Sequence, residues 1–198
     1  MASTGFTFPP ANNTDLVTEL YIGYYNRAPD PVGLNFWLNA LAGGETLTQV
    51  ANQFANSSES TAIYPFLSNP NLANASSFVT QVYSNLLNRA PDNPGLQFWS
   101  QELQSGTVTP GGFILAIEQS VNQQTGTADA MTLGDKLTVA VNYVTRISAA
   151  GVPFSEASAH GSLAPVTSDP STIATGEAVT TAYIGITQPV ASSVGLLH

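Results

Sequence analysis

Cysteine is absent from the 198-residue chain, which excludes disulfides, thiolate metal sites and cysteine nucleophiles. Charge is nearly as scarce. Charged residues make up 9% of the chain, against roughly 25% in ordinary soluble domains. Only Arg27, Arg89, Lys136 and Arg146 are basic, and the net charge is −9. No basic patch can form, so nucleic acid is excluded as a partner and anionic membrane surfaces are disfavoured. No apolar run approaches the roughly 18 residues of a membrane span. The two histidines, His160 and His198, have no metal-ligand spacing. His160 is expected in an exposed loop. The chain also lacks a Gly-x-Ser-x-Gly elbow, a phosphate-binding loop and a dinucleotide fingerprint. Asp15 and Glu19 share a helical face, but both are read as acids favoured by a helix N-terminus rather than as a catalytic pair. The expectation is a protein that is not an enzyme.

The surface must then be covered by Asn, Gln, Ser and Thr, with little charge repulsion between molecules beyond a modest acidic excess. A hydrophobic content of 43% is enough for one core of ordinary size or two small ones. The opening residues, MASTGFTFPPANN, have neither a basic nor an apolar signal region. Three readings stay open: a cytoplasmic protein, a signal removed upstream, or export by another address. The last is favoured, a secreted or cell-surface protein without a cleaved amino-terminal signal. The tail AYIGITQPVASSVGLLH resembles an uncleaved carboxy-terminal signal of type I secretion.

What the chain does have is a duplication. Residues 19–44, ELYIGYYNRAPDPVGLNFWLNALAGG, align without a gap on residues 81–106, QVYSNLLNRAPDNPGLQFWSQELQSG, at an offset of 62. Tyr21, Arg27, Asp30, Gly33 and Trp37 correspond to Tyr83, Arg89, Asp92, Gly95 and Trp99. Each repeat reads as three helices. Leu16, Leu20 and Tyr24, then Phe78, Val82 and Leu86, give the first helices an apolar stripe. Leu34, Trp37, Leu38 and Leu41, then Leu96, Trp99 and Leu103, mark the second. Leu47, Val50 and Phe54, then Ile114, Ile117 and Val121, mark the third.

The shared Asn-Arg-Ala-Pro-Asp segment reads as a structural corner. Pro29 and Pro91 should end the first helices, and Asp30 should cap the second, with Asp92 or Asn93 in the other repeat. Arg27 and Arg89 are placed to meet the helix C-terminus or to reach Asp30 and Asp92 across the turn. Gly33 and Gly95 should admit a neighbouring backbone. Phe36-Trp37 and Phe98-Trp99 straddle two sides of a helix. One ring of each pair is expected in the core and the other on a second surface, which is the other repeat in the favoured reading and another subunit or a sugar ring in the alternatives.

Tyr followed by Arg-x-x-Asp-x-x-Gly-Leu-x-x-Trp, twice over residues 15–123, resembles a bacterial repeat family catalogued as a domain of unknown function. The family recurs in exported proteins, including S-layer-like and RTX-type calcium-binding proteins. The segment 132–148 is similar to a helix that follows such repeats in type I secreted proteins. The resemblance implies attachment or assembly at the cell surface and brings no catalytic residues. This chain departs from the larger relatives in having no glycine- and aspartate-rich nonapeptide array.

The organisation expected is mainly α: an extended N-terminal arm (1–13, with Phe6, Phe8, Pro9 and Pro10), helical repeats at 14–68 and 69–125, and a C-terminal helical subdomain at 126–198. In the last, 133–150 should be a helix with Leu137, Val141, Val144 and Ile147 on one side, and 151–170 a loop. Residues 170–185 should be a helix capped by Asp169 and started by Pro170, with Ile173, Ala174, Ala178 and Ala182 inward, or a strand near 178–187. No cofactor is certain. Calcium is the candidate ion, at turn carboxylates Asp30, Asp92, Asp129 and Asp135. The first functional expectation is a structural subunit that assembles with itself into a lattice or filament. The alternative is a monomeric module that binds surface polysaccharide.

Overall fold

Side-chain caps decide where the helices begin. In the computed structural model, which describes residues 12–188, Asn12, Asp30, Thr46, Ser57, Asn71, Asp92, Thr109, Thr127 and Ser155 each accept a hydrogen bond from the backbone N–H three residues on. Repeat one contains α1 (Asn13–Tyr25), α2 (Pro31–Ala42), α3 (Leu47–Ala55) and two short helices, α4 (Ser58–Ile63) and α5 (Pro65–Ser68). Repeat two contains α6 (Leu72–Leu87), α7 (Asn93–Ser105) and α8 (Pro110–Asn122). The rest is α9 (Ala128–Ala150), α10 (Glu156–Leu163) and α11 (Ser171–Thr187). The protein is mainly α, with no strand among the described residues. The arm residues Phe6, Phe8, Pro9 and Pro10 lie outside them.

The first helices do not stop at Pro29 and Pro91, as expected, but three residues earlier. Asn26 (φ 49°) and Asn88 (φ 55°) take the left-handed conformation and close the helices with N–H bonds to Ile22 and Ser84. After glycine, asparagine tolerates that conformation best, so the Asn of the shared segment is the stop signal.

The repeats do not stack head to tail. Corresponding helices lie against each other, α1 on α6 and α3 on α8. Asn85 Nδ2 donates to the Gly23 carbonyl at 2.9 Å, and these residues are 62 apart, the repeat offset. Contact between equivalent positions is the mark of an approximate two-fold relation.

A consequence is that α1 is not amphipathic. It touches α2, α3, α6, α8 and α9, and every residue from Val17 to Tyr24 is buried. Glu19 therefore does not sit on an open helix N-terminus beside Asp15. It is buried against Glu118 of α8, which is equally enclosed.

The C-terminal helices complete the core. α9 starts at Ala128, earlier than expected, and buries Leu133, Lys136, Val139, Ala140, Tyr143, Val144 and Ile147. Leu137 and Val141 are only partly buried. The expected loop contains α10, started by the Ser155 cap. In α11, Ala174, Ala178 and Ala182 face solvent. The inward face is Gly176 and Thr180, because α10 comes so close that a Cβ at Gly176 would lie 2.4 Å from the Ser162 carbonyl. The N-cap of α11 is Pro170, without a side-chain cap bond, rather than Asp169, which lies one residue earlier and accepts from the Ser171 N–H at 2.9 Å.

Both asparagine stops plug into this subdomain. Lys136 Nζ donates to the Asn85 carbonyl at 2.5 Å and reaches Asn26 Oδ1 at 3.4 Å. The cation thus sits at the carbonyl ends of α1 and α6, where it is favoured. Its burial pulls its pKa down to about 8. His160 is exposed but lies on α10, with Nδ1 2.9 Å from the Asn26 carbonyl. Asn88 Nδ2 donates to the Val166 carbonyl at 2.7 Å.

Candidate interaction surfaces and the corner that presents them

Each α2-type helix is set by a small polar corner. Asp30 Oδ1 accepts from the Gly33 N–H at 2.7 Å, and Asp92 Oδ1 accepts from Gly95 at the same distance. Tyr21 Oη lies 3.5 Å from Asp30 Oδ2. Burial, then the neighbouring Asp30 charge, pushes the Tyr21 hydroxyl well above its ordinary pKa. The glycine is required by side chains, not by an approaching backbone. A Cβ at Gly33 would lie 2.1 Å from Tyr21 Oη and 2.7 Å from Asp30 Oδ2. At Gly95 it would lie 2.8 Å from Asp92 Oδ1.

The arginines do not reach Asp30 and Asp92. Arg27 Nε and Nη2 donate to Glu59 at 3.2 and 3.0 Å, while Arg89 Nε and Nη2 donate to Asp129 at 2.8 and 2.6 Å. In both repeats Nη1 donates to the carbonyl of the next residue, Ala28 or Ala90. Glu59 and Asp129 each lie two residues after a helix cap, Ser57 and Thr127, in the first turn of the helix that follows α3 or α8. An acid there satisfies the helix dipole and the guanidinium together. The pattern Ser/Thr-x-acid after the third helix was a readable signal that the sequence reading missed.

The two pairs differ in depth. The Arg27 side chain is 7% exposed and that of Arg89 is 47%. Arg27 lies 5.1–5.2 Å from the ring centres of Tyr21, Tyr25 and Phe154, whereas Arg89 covers only Tyr83. Arg27→Ala is therefore expected to cost roughly 2–4 kcal/mol, since Glu59 loses its partner and three rings lose their cover. Arg89→Ala should cost under about 1 kcal/mol. Urea unfolding of the two variants, followed by circular dichroism, measures the difference. Equal losses would contradict it.

The corner aims the aromatic pairs. Trp37 stacks on Phe54 of α3 at 4.6 Å, and Trp99 packs on Phe113 of α8 at 5.2 Å. Each tryptophan thus packs within its own repeat, not between repeats. The other member points outward: Phe36 is 60% exposed and Phe98 54%, with Val32 beside Phe36 at 80%. Phenylalanines this open on equivalent helices are the clearest apolar features of the described surface.

The four candidate calcium carboxylates are not brought together. Asp30 and Asp92 are helix caps and Asp129 holds Arg89. Asp135 is largely buried in α9, its carboxyl raised by burial and then by Asp169. Among the described residues no group of three or more His, Asp or Glu is placed to hold a metal ion.

Two stretches, residues 1–64 and 68–126, match a family described as a domain of unknown function, DUF4214. The chain belongs to the DUF4214 family. The two matches cover both structural repeats, so each DUF4214 copy carries one corner, one inward tryptophan and one outward phenylalanine. The chain matches no curated protein and no solved structure. No helix among the described residues is long and apolar enough to cross a membrane.

Proposed function

We propose that this chain is a non-catalytic subunit of an exported, cell-surface assembly, joining copies of itself through the outward faces of α2 and α7. The observation that carries the reading is the pair of equivalent exposed phenylalanines, Phe36 and Phe98. An approximate two-fold relation within one chain makes the subunit bivalent. A self-complementary patch on each half joins neighbours into a chain that does not close by itself. The low charge supports the same reading, because little repulsion opposes close packing. Export, by a type I or related route, is supported by the resemblance to repeats of S-layer-like and RTX-type proteins.

Light scattering and negative-stain microscopy of purified protein, with and without millimolar calcium, test the reading. Filaments or sheets are expected for the wild type. A double variant, Phe36→Ser with Phe98→Ser, should stay dispersed with an unchanged circular dichroism spectrum. A wild type that stays monomeric in both conditions would overturn the proposal. It would favour the second reading, a polysaccharide-binding module. That reading is supported by Asn35 and Asn39 beside Phe36, and Gln97 beside Phe98, all exposed, a mixture suited to stacking and hydrogen-bonding a sugar.

A further inference from the structure

The groove between α1, α3 and α8 holds two buried acids that no cation among the described residues balances. Glu19 and Glu118 are only 2% and 3% exposed. Glu19 Oε2, both oxygens of Glu118, and Oδ1 of the adjoining Asn122 have no hydrogen-bond partner. Buried acceptors without donors are costly, and each calls for an explanation. No side-chain cation among the described residues supplies one. Arg27 and Arg89 are held by Glu59 and Asp129. Lys136 is held by Asn85 and Asn26, and Arg146 by the Glu177 carbonyl and Thr181. The charged neighbour on the same helix is Asp15, another acid, and the one ionisable group facing Glu118 besides Glu19 is Tyr24.

These carboxyls line an open groove of about 470 Å³ whose walls include Leu16, Leu47 and Leu115. The duplicated half shows what a structural version of this place is like. Gln81 stands where Glu19 does. Ala55 stands where Glu118 does, each nine residues after the threonine cap of its helix. The corresponding groove there is lined by Asn52, Ala55 and Asn56, with Phe66 and Leu67 of α5 forming part of its wall. No aromatic side chain among the described residues lines the acidic groove. Acid replaces neutral residues at both positions in the half whose groove has no α5 residues in its wall.

We infer that this groove is a binding site for a primary alkylammonium group, with the ammonium on Glu19 and Glu118 and the alkyl stem against Leu16, Leu47 and Leu115. An ammonium brings three N–H donors and no acceptor, which suits the orphaned carboxylate oxygens. Its methylene stem suits leucine walls. A divalent ion of the calcium class seeks six to eight oxygens, and the leucines offer none. Burial favours the protonated carboxyls: it raises Glu19 to about 7, against a lowering hydrogen bond from Asn122 and with the Asp15 charge adding to it, and it raises Glu118 well above the carboxylate range with the Glu19 charge adding to it. Binding of the cation therefore displaces protons and tightens as pH rises. The inference is independent of the assembly reading, since neither α2 nor α7 lines the groove.

The chemistry is shared by small free amines and by a lysine side chain of a partner protein, so the test carries both. The full chain is titrated by calorimetry and by amide NMR with 1,5-diaminopentane and, separately, with Nα-acetyl-lysine N-methylamide. Saturable binding is expected at about pH 8 and should weaken about tenfold or more at about pH 5.5. It should be lost in Glu118→Gln and retained in Glu156→Gln on the surface of α10. Saturation by the diamine alone assigns the site to small amines, and saturation by both assigns it to a lysine-bearing partner. Glu118→Gln replaces a buried protonated carboxyl with a neutral amide of the same shape, so it is expected to fold, and Leu115→Asn, which introduces the residue found at Asn52, gives a second way to weaken the stem contact. The inference is overturned if neither probe saturates, if binding survives in Glu118→Gln, or if calcium chloride shifts the groove resonances while the amines do not.

Discussion

Gly111→Ala should destabilise the protein by roughly 2–3 kcal/mol. Gly111 lies in the first turn of α8 where it meets α3. A Cβ there would sit 2.5 Å from the Ala51 carbonyl carbon and 2.7 Å from the Asn52 nitrogen. Both are backbone atoms, so no side chain can swing aside and the helices must separate. Separation disturbs more than one contact, because Tyr24 Oη donates to the Ala51 carbonyl at 3.0 Å from the fully buried α1. The control is Gly161→Ala in α10. Its Cβ would meet only Val179 at 3.6 Å, and alanine favours the helix by about 1 kcal/mol, so stability should hold or rise. Urea midpoints of both variants check the pair of statements. A neutral Gly111→Ala would mean that α3 and α8 are not in close backbone contact.

That contact explains much of what could and could not be read from the sequence. The corners were legible because they are local. Asp30 and Asp92 act within three residues of themselves, and the duplicated segment marks them twice. Helix class and the inward tryptophans were legible for the same reason, through periodicity. What escaped was set by the partner of each face. α1 looked amphipathic by its stripe, but contact with five other helices buries its polar residues as well, including Thr18 and Glu19. Locally the arginines offered only a helix C-terminus or the nearest acids, whereas their partners lie 32 and 40 residues away. α10 was hidden in a Gly/Ser/Ala stretch with weak periodicity, although its Ser155 cap was visible. The place of Lys136 was not legible, because nothing local says that two helix ends converge on it.

The same sequence-remote packing makes the stability profile with pH unusual: unfolding should become easier between about pH 4.5 and pH 7, not harder. In most proteins paired carboxylates lose protons more readily when folded, so acid destabilises. Here burial raises Asp15, Glu19, Glu118 and Asp135. A carboxyl whose folded pKa is raised favours the folded state fully below its unfolded pKa. That advantage is lost as pH climbs through the folded value, because the unfolded chain releases its proton first. For Glu19, from the ordinary 4.5 to about 7, the loss is on the order of 3 kcal/mol. Glu118 adds to it in the same direction. Lys136 acts in the opposite sense in a different window. Its depressed pKa, about 8, costs stability as pH falls from the unfolded lysine range toward 8. Both effects place the weakest point near neutral to mildly alkaline pH. Urea midpoints across this range should fall from acid to neutral, and Glu118→Gln should flatten the fall while raising the midpoint at about pH 7.5. A profile that rises from acid to neutral, in wild type and variant alike, would mean that the two glutamates are not buried together. An alkylammonium ligand in the groove should restore stability on the neutral side alone, because only there does it meet carboxylates free of their protons.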